Sequence, residues 1–220
     1  MEDAGTVDLR GASVLPRALR VLGRQRDPRL VDAVAKLRAW QRSGAHRRDM
    51  DRNGAYEHAE AVKIMDVWFP RWLEAQFRPT LGAPLFERTK TSIPLENTPE
   101  GAPRTTSHAS RGWYGYAQKD LRTVLRRRGR GPDVRGRYSR VYCGRGSLRR
   151  CRKLLRRTLL DAYGSDPLKV YTDKQCQAGD QVCFDAVAHR PFGLVEQPLI
   201  HWIDRPTFQQ VVEVQGQVPR

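Results

Sequence analysis

The spacing of apolar residues predicts an amphipathic helix over residues 28–42. Asp27 suits the N-cap, and Pro28 suits the first helical position, where a backbone N–H is not needed. The apolar residues that follow recur at helical spacing and lie on one face: Leu30, Val31, Val34, Leu37 and Trp40. One side of this helix is therefore expected to pack on a core.

Residues 59–77 carry a second helical pattern with a proline inside it. Pro70 lacks the N–H for one helical hydrogen bond, so a kink is expected there. The apolar positions of this helix are Val62, Met65, Val67, Trp68, Trp72, Leu73 and Phe77. We interpret its two tryptophans, spaced one helical turn apart, as core packing and not as a platform for a ligand.

The middle of the chain, residues 78–118, has weak periodicity and many Pro, Thr, Gly and Ser residues, so it is predicted to be a long loop. Loops of this length are uncommon inside compact domains. Either this loop wraps a larger body, or the domain is incomplete. The aromatic residues within 112–116 are interpreted as buried anchors, with stacking on bases or sugars as the alternative.

From residue 119 onwards the pattern predicts short elements. A short helix is expected over 120–128, and a strand at 138–142. Ser147 then caps a helix that Gly164 ends. The apolar stripe of that helix is Leu148, Cys151, Leu154, Leu155, Leu159 and Ala162, and its other face carries Arg149, Arg150, Arg152, Lys153, Arg156 and Arg157. The composition of 207–214 predicts a further strand.

Net charge is concentrated in one band of the chain. The formal charge is +16, yet residues 119–157 hold 16 of the 40 basic residues and only two acids, whereas the remaining chain has 24 basic residues against 22 acidic ones. Such a band indicates either a nucleic-acid-binding module using residues 122–157 or a solvated helix face. We favour the solvated face and expect no specific nucleic-acid partner.

The four cysteines form two local pairs, Cys143 with Cys151 and Cys176 with Cys183. Neither pair has zinc-finger spacing, so two short-range disulfides are favoured over reduced thiols or a metal site. Disulfides indicate an oxidising compartment. The first residues are acidic and lack the apolar core of an export signal, and no apolar run is long enough to span a membrane.

Residues 49–60 read Asp-Met-Asp-Arg-Asn-Gly-Ala-Tyr-Glu-His-Ala-Glu, which fills every ligand position of a calcium loop. The predicted ligands are Asp49, Asp51, Asn53, the Ala55 carbonyl, Glu57 through water, and Glu60. The predicted helix before this loop stops near Arg42, too early for an EF-hand. The alternative is an Asx-turn loop whose acids cap the following helix.

No catalytic motif is present: the chain has no Gly-x-Ser-x-Gly, no His-Glu-x-x-His and no phosphate-binding glycine loop. Three groups of motifs nevertheless resemble, in order along the chain, the penicillin acylase (penicillin amidase) family of N-terminal-nucleophile hydrolases, which includes acyl-homoserine-lactone acylases. They lie at 37–40, 44–49 and 66–70, then 112–116, 119–122 and 138–144, and finally 183–186 and 205–213. The last group departs from the family where Asp204 stands in place of an expected asparagine.

The resemblance implies that residues 1–220 are the C-terminal part of the family's β chain, α/β mixed but mostly helical here, and one piece of an αββα sandwich. The chain is expected to divide into a helical part at 1–77, the loop at 78–118 and a basic part at 119–220. The family's proteins are exported amide hydrolases, so the full-length protein is expected to be extracellular or periplasmic. Their nucleophile lies upstream of the matched region, so no catalytic residue is carried over.

The expected partner is therefore the missing portion of the acylase, namely its α chain and the N-terminal part of its β chain. Calcium is the expected cofactor, in a structural role. The rival interpretations are a stand-alone nucleic-acid-binding module and a calcium-dependent interaction domain.

Overall fold

The computed structural model describes residues 7–53, 55–92, 107–126, 140–165, 186–189 and 200–203. These residues are mostly helical, as predicted. A π-helical turn at Arg10–Val14 leads into α1, and a 3-10 turn at Cys143–Gly146 precedes α6. The elements are α1 (Leu15–Leu22), α2 (Pro28–Arg42), α3 (Ala59–Leu81), α4 (Ala83–Ser92), α5 (Ser107–Leu125), α6 (Leu148–Ala162), β1 (Ala186–His189) and β2 (Ile200–Ile203).

Helix α2 has the predicted bounds and the predicted cap. The Asp27 side chain accepts a hydrogen bond from the Arg29 N–H at 2.9 Å. The buried stripe is Leu30, Ala33, Val34, Leu37 and Trp40. Val31 was wrongly assigned to it and is 48% exposed. A residue directly after a stripe position is rotated about 100° round the helix, which carries Val31 towards solvent.

Helix α3 is the longest of the described helices, and it continues through Pro70 to Leu81, beyond the predicted end at residue 77. Its tryptophans belong to the core, as predicted: Trp68 and Trp72 are fully buried and stack with ring centroids 5.4 Å apart. Each indole N–H has a partner, because Trp68 donates to Thr158 Oγ1 at 3.0 Å and Trp72 to Gln76 Oε1 at 2.6 Å. Helix α3 is thereby joined to α6.

The prediction of a long loop at 78–118 is wrong. The end of α3, all of α4 and much of α5 occupy this stretch. A few apolar anchors fix these two helices in place of a continuous stripe: Phe86 on α4, and Ala117, Leu121 and Val124 on α5, are buried in the core. Tertiary packing of a few residues is enough to stabilise a helix. Because these residues do not form a repeating apolar pattern, the sequence did not predict the two helices. The Pro- and Thr-rich residues 93–106 lie outside the described residues.

The short helix predicted at 120–128 is part of α5, which begins at Ser107 and ends at Leu125. The described part of the strand predicted at 138–142 is not a strand either. Instead, the buried Asp120 carboxylate accepts hydrogen bonds from the backbone N–H groups of Tyr142 and Cys143, at 2.7 and 2.8 Å. A side chain therefore takes the donors that a neighbouring strand would need.

Helix α6 follows its sequence signals closely. Ser147 accepts a hydrogen bond from the Arg150 N–H, and the helix ends at Ala162, just before Gly164 with its positive φ of 72°. Cys151, Leu155, Leu159 and Ala162 are buried as predicted, whereas Leu148 and Leu154 are only partly buried. The buried Thr158 was missed.

The tail of α6 also meets α2. The Tyr163 hydroxyl donates to Asp32 Oδ2 at 2.8 Å, and Lys36 pairs with the same oxygen at 2.7 Å. The hydrogen bonds from Lys36 and then Tyr163 lower the pKa of Asp32, because both donors favour the charged carboxylate. This contact ties the end of α6 to the first half of α2.

Strands β1 and β2 pair antiparallel, with Ala186 opposite Ile203 and His189 opposite Ile200. Neither strand was predicted. The strand predicted at 207–214, together with Cys176 and Cys183, lies outside the described residues. None of the described helices has both the length and the apolar character needed to cross a bilayer.

Candidate functional site

The acidic loop between α2 and α3 brings three carboxylates together. Oxygens of Asp49, Asp51 and Glu57 all lie within 4.8 Å of one another. Asp51 and Glu57 are exposed and Asp49 is half-buried. Like charges this close repel one another, so a cation placed among them relieves the repulsion. Three of the predicted calcium ligands are therefore positioned to act together.

Side-chain hydrogen bonds to the backbone give the loop this shape. Asp49 Oδ1 accepts from the Asn53 N–H at 3.0 Å, and Asn53 Oδ1 accepts from the Ala55 N–H at 2.9 Å. Asp51 Oδ2 accepts from the Asn53 side-chain amide at 2.8 Å, and Glu57 accepts from the Met50 N–H. The bond from the Ala55 N–H to Asn53 Oδ1 is an Asx-type turn, which the alternative interpretation predicted. The predicted cap is not observed among the described residues: the N-cap of α3 is His58, and its side chain makes no capping hydrogen bond.

The other predicted ligands are used differently. Glu60 lies in the first turn of α3 and pairs with Lys63 Nζ at 2.9 Å, outside the cluster of three carboxylates. Asn53 Oδ1 is engaged by the Ala55 N–H. Gly54 is outside the described residues. The arrangement consequently offers a partial oxygen shell, which calcium would complete with water or with moved side chains.

A buried ion network lies directly beside this loop. Arg47 Nε bonds Asp8 Oδ2 at 2.9 Å, and its Nη2 bonds Asp66 Oδ1. Arg10 Nη2 bonds the same two acids, Asp8 at 2.7 Å and Asp66 at 2.6 Å. Every one of these four side chains is at least 94% buried. Two arginines and two aspartates therefore neutralise one another inside the core.

This network holds three separate segments in one place. Asp8 and Arg10 belong to the N-terminal segment, Arg47 to the connection after α2, and Asp66 to α3. The Asp8 N–H donates to the Ala45 carbonyl at 2.9 Å, which brings the first two segments together. Gly11 has no room for a side chain, because a Cβ there would lie 2.6 Å from the Ala45 Cβ.

Sequence reasoning missed this network, although one signal was present. Asp66 is a charged residue between two apolar core residues of α3, Met65 and Val67. A buried aspartate in such a stripe needs a cationic partner. The partners themselves lie far away along the chain, so the sequence alone does not identify them.

A second buried polar network centres on Asp120 of α5. Besides the N–H groups of Tyr142 and Cys143, this carboxylate accepts from Gln76 Nε2 at 2.8 Å. Its other oxygen, Oδ1, forms an ion pair with Lys119 Nζ at 3.0 Å. Asp120 thus links α3, α5 and the turn before α6.

The disulfide predicted between Cys143 and Cys151 is present, with Cα atoms 4.9 Å apart. Both sulfurs belong to residues that are fully buried. The bond ties the turn at Cys143–Gly146 to the first turn of α6. Asp120 and the disulfide therefore hold the same short segment from two sides.

The basic face of α6 is only partly solvated, contrary to the sequence interpretation. Arg152 Nε donates to the Val21 carbonyl at 2.7 Å, and Arg156 Nη2 donates to the Arg24 carbonyl at 2.9 Å and the Leu22 carbonyl at 3.3 Å. The Val21 and Leu22 carbonyls lie at the C-terminal end of α1, where acceptors lack helical partners and cations are favoured, and Arg24 follows the helix. The exposed residues of this face are Arg149, Arg150, Lys153 and Arg157.

Comparison with protein-family models, curated proteins and solved structures finds no match for this chain. The resemblance to penicillin acylases consequently rests on the quoted motifs.

Proposed function

We propose that this chain is the C-terminal part of the β chain of a penicillin-acylase-like amide hydrolase, and that it serves there as a scaffold. One observation supports this proposal. Motif residues that are distant in sequence meet inside the core: Arg47 of 44–49 is paired with Asp66 of 66–70. Asp120 of 119–122 accepts a hydrogen bond from the backbone N–H of Cys143 of 138–144.

In this proposal the chemistry belongs to the missing upstream portion. A serine at the N-terminus of the β chain attacks the amide carbonyl, its own free amine takes the hydroxyl proton, and an acyl-enzyme forms as the amine product leaves. An oxyanion hole stabilises the tetrahedral intermediate. Residues 1–220 would complete the αββα sandwich, and their rigid helical core would support the elements that carry those groups.

The proposal predicts that the purified chain alone does not hydrolyse benzylpenicillin or acyl-homoserine lactones. Co-expression with the α chain and the N-terminal part of the β chain of an acylase should restore hydrolysis, and replacing the N-terminal serine of that β chain should abolish it. Release of the amine product, followed by chromatography, is the measurement. Steady turnover by the isolated chain would contradict the scaffold role, as would full activity of the upstream portion without this chain.

We further propose that the acidic loop binds calcium as a structural brace between α2 and α3. The convergence of Asp49, Asp51 and Glu57 within 4.8 Å supports this role. A bound ion would neutralise their repulsion and fix the connection that contains Arg47. Because the ion binds only the folded loop, its effect is expected on stability.

Calcium is expected to raise the melting temperature, and a chelator to lower it. At a free calcium concentration of about 100 times Kd, the stabilisation is about 2.7 kcal/mol. The Asp51→Asn variant should lose this response, because Asp51 is one of the three converging acids. Glu60→Gln is the matched control, since Glu60 pairs with Lys63, and it should keep the response. If neither calcium nor the chelator changes the melting temperature of the unsubstituted chain, the loop does not bind calcium and the proposal is wrong.

A further inference from the structure

A cationic groove lies between α1 and α2, away from the acidic loop. Its volume is about 550 Å³. Four arginines line it, Arg20 and Arg24 from the side of α1, and Arg38 and Arg42 from α2, with Leu19 and Gln41 between them. All four guanidinium-bearing side chains are exposed, and no acidic residue lines the groove.

The charge of this groove is unbalanced. Among the described residues, none of its four arginines forms an ion pair, whereas Arg29, Lys36 and Arg78 each pair with an acid on their own helix or cap. Arg38 and Arg42 are one helical turn apart, so their like charges destabilise the helix slightly. A bound anion would relieve this repulsion.

The groove is extended by cations that already have partners. The guanidinium of Arg152 lies beside Gly23, which lines the groove, because a Cβ there would be 3.6 Å from Arg152 Nη2. Arg156 donates to the carbonyl of Arg24. Helix α6 therefore adds positive potential at one end of the groove while its own donors remain fixed on α1.

We infer that this groove binds a small ligand that carries two or more phosphate groups. The planar guanidinium fork matches phosphate oxygens in bidentate fashion, and several arginines around one anion give charge-assisted hydrogen bonds. The volume is in the range of small-molecule sites, about 300–1,000 Å³. A nucleic acid instead needs a continuous track of cations, and Arg152 and Arg156 are used on carbonyls of α1 and the residues that follow it.

Sodium tripolyphosphate is the probe for isothermal titration calorimetry at physiological salt. The unsubstituted chain should show saturable binding of one molecule. The Arg38→Gln/Arg42→Gln variant should bind about tenfold or more weakly, because hydrogen bonds to charged groups are lost. Arg149→Gln/Lys153→Gln is the matched control: it removes the same charge from exposed positions outside the groove and should change affinity by less than about twofold.

Equal weakening by both double variants would show unspecific attraction and would overturn the proposal, as would the absence of saturable heat. A single-stranded oligonucleotide that binds more tightly than tripolyphosphate, with a salt slope of about −0.7 for each phosphate contacted, would assign the groove to nucleic acid instead. Circular dichroism of each variant checks folding. Phosphate binding by this groove is separate from the proposed acylase role, and the calorimetric result does not depend on hydrolysis.

Discussion

Replacing Asp66 by asparagine is expected to lower the free energy of unfolding by about 3–5 kcal/mol, the usual cost of breaking a buried ion pair on one side. Asp66 Oδ1 bonds both Arg10 and Arg47. Its loss leaves two buried guanidinium groups to share the single charge of Asp8. Urea unfolding followed by tryptophan fluorescence measures the effect, since three tryptophans lie in the surrounding core.

The matched control is Asp27→Asn. Asp27 pairs with Arg29 at 3.0 Å, but both side chains are substantially exposed. Asparagine is an equally good N-cap and an exposed ion pair contributes little, so this variant should be nearly as stable as the unsubstituted protein. An Asp66→Asn variant as stable as the Asp27→Asn variant would show that the buried network does not stabilise the fold.

A compensating variant separates lost charge balance from lost shape. In Arg47→Met/Asp66→Leu, one cation and one anion are removed together, and the Asp8–Arg10 pair at 2.7 Å remains. Replacing a buried ion pair by apolar residues of similar volume is often close to neutral. This double variant is therefore expected to be more stable than Asp66→Asn alone, although it carries two substitutions.

Helices α2 and α6 could be predicted from sequence because their signals are local. Asp27 and Ser147 bond N–H groups two or three residues away, and the apolar stripes repeat within a few turns. Helices α4 and α5 could not be predicted in this way. Their stability comes from anchors such as Phe86 and Leu121 that reach a core built by other segments.

The candidate sites show the same division. The residues of the acidic loop are contiguous, so the candidate ligands could be identified from the sequence. The pairing of Glu60 with Lys63, which keeps Glu60 outside the cluster, could not be predicted. The basic residues of α6 were placed by helical periodicity on the face opposite the apolar stripe, and that face was expected to be solvated. Arg152 and Arg156 in fact bond carbonyls more than a hundred residues earlier in the chain, and only the tertiary structure brings those acceptors into reach.

Asp120→Ala is the second substitution with a large expected effect. Two backbone N–H groups, of Tyr142 and Cys143, and the side-chain amide of Gln76 would lose their shared acceptor. Each unsatisfied buried donor costs about 1–3 kcal/mol, so the variant should unfold at markedly lower urea concentration. Glu74→Ala, which removes an exposed acid of α3 paired with Arg78, is the control and should be nearly neutral.

The cost of Asp120→Ala should depend on the disulfide. Cys143→Ala/Cys151→Ala alone is expected to cost near the lower end of the usual ~2–4 kcal/mol, because the closed ring is small. With the disulfide intact, the turn stays in place and its N–H groups remain buried without an acceptor. Without the disulfide, the turn can detach and bond water, so the same aspartate substitution should then cost less.

Urea unfolding of the four proteins in this double-mutant cycle measures the coupling, which we expect to be favourable and larger than about 0.5 kcal/mol. Alanine is chosen for both cysteines because a serine hydroxyl would be buried at positions that are fully inaccessible. Non-reducing peptide mapping of Asp120→Ala must still show the Cys143–Cys151 bond. Costs that add within about 0.5 kcal/mol would mean that the carboxylate and the disulfide hold the turn independently, each able to keep it docked without the other.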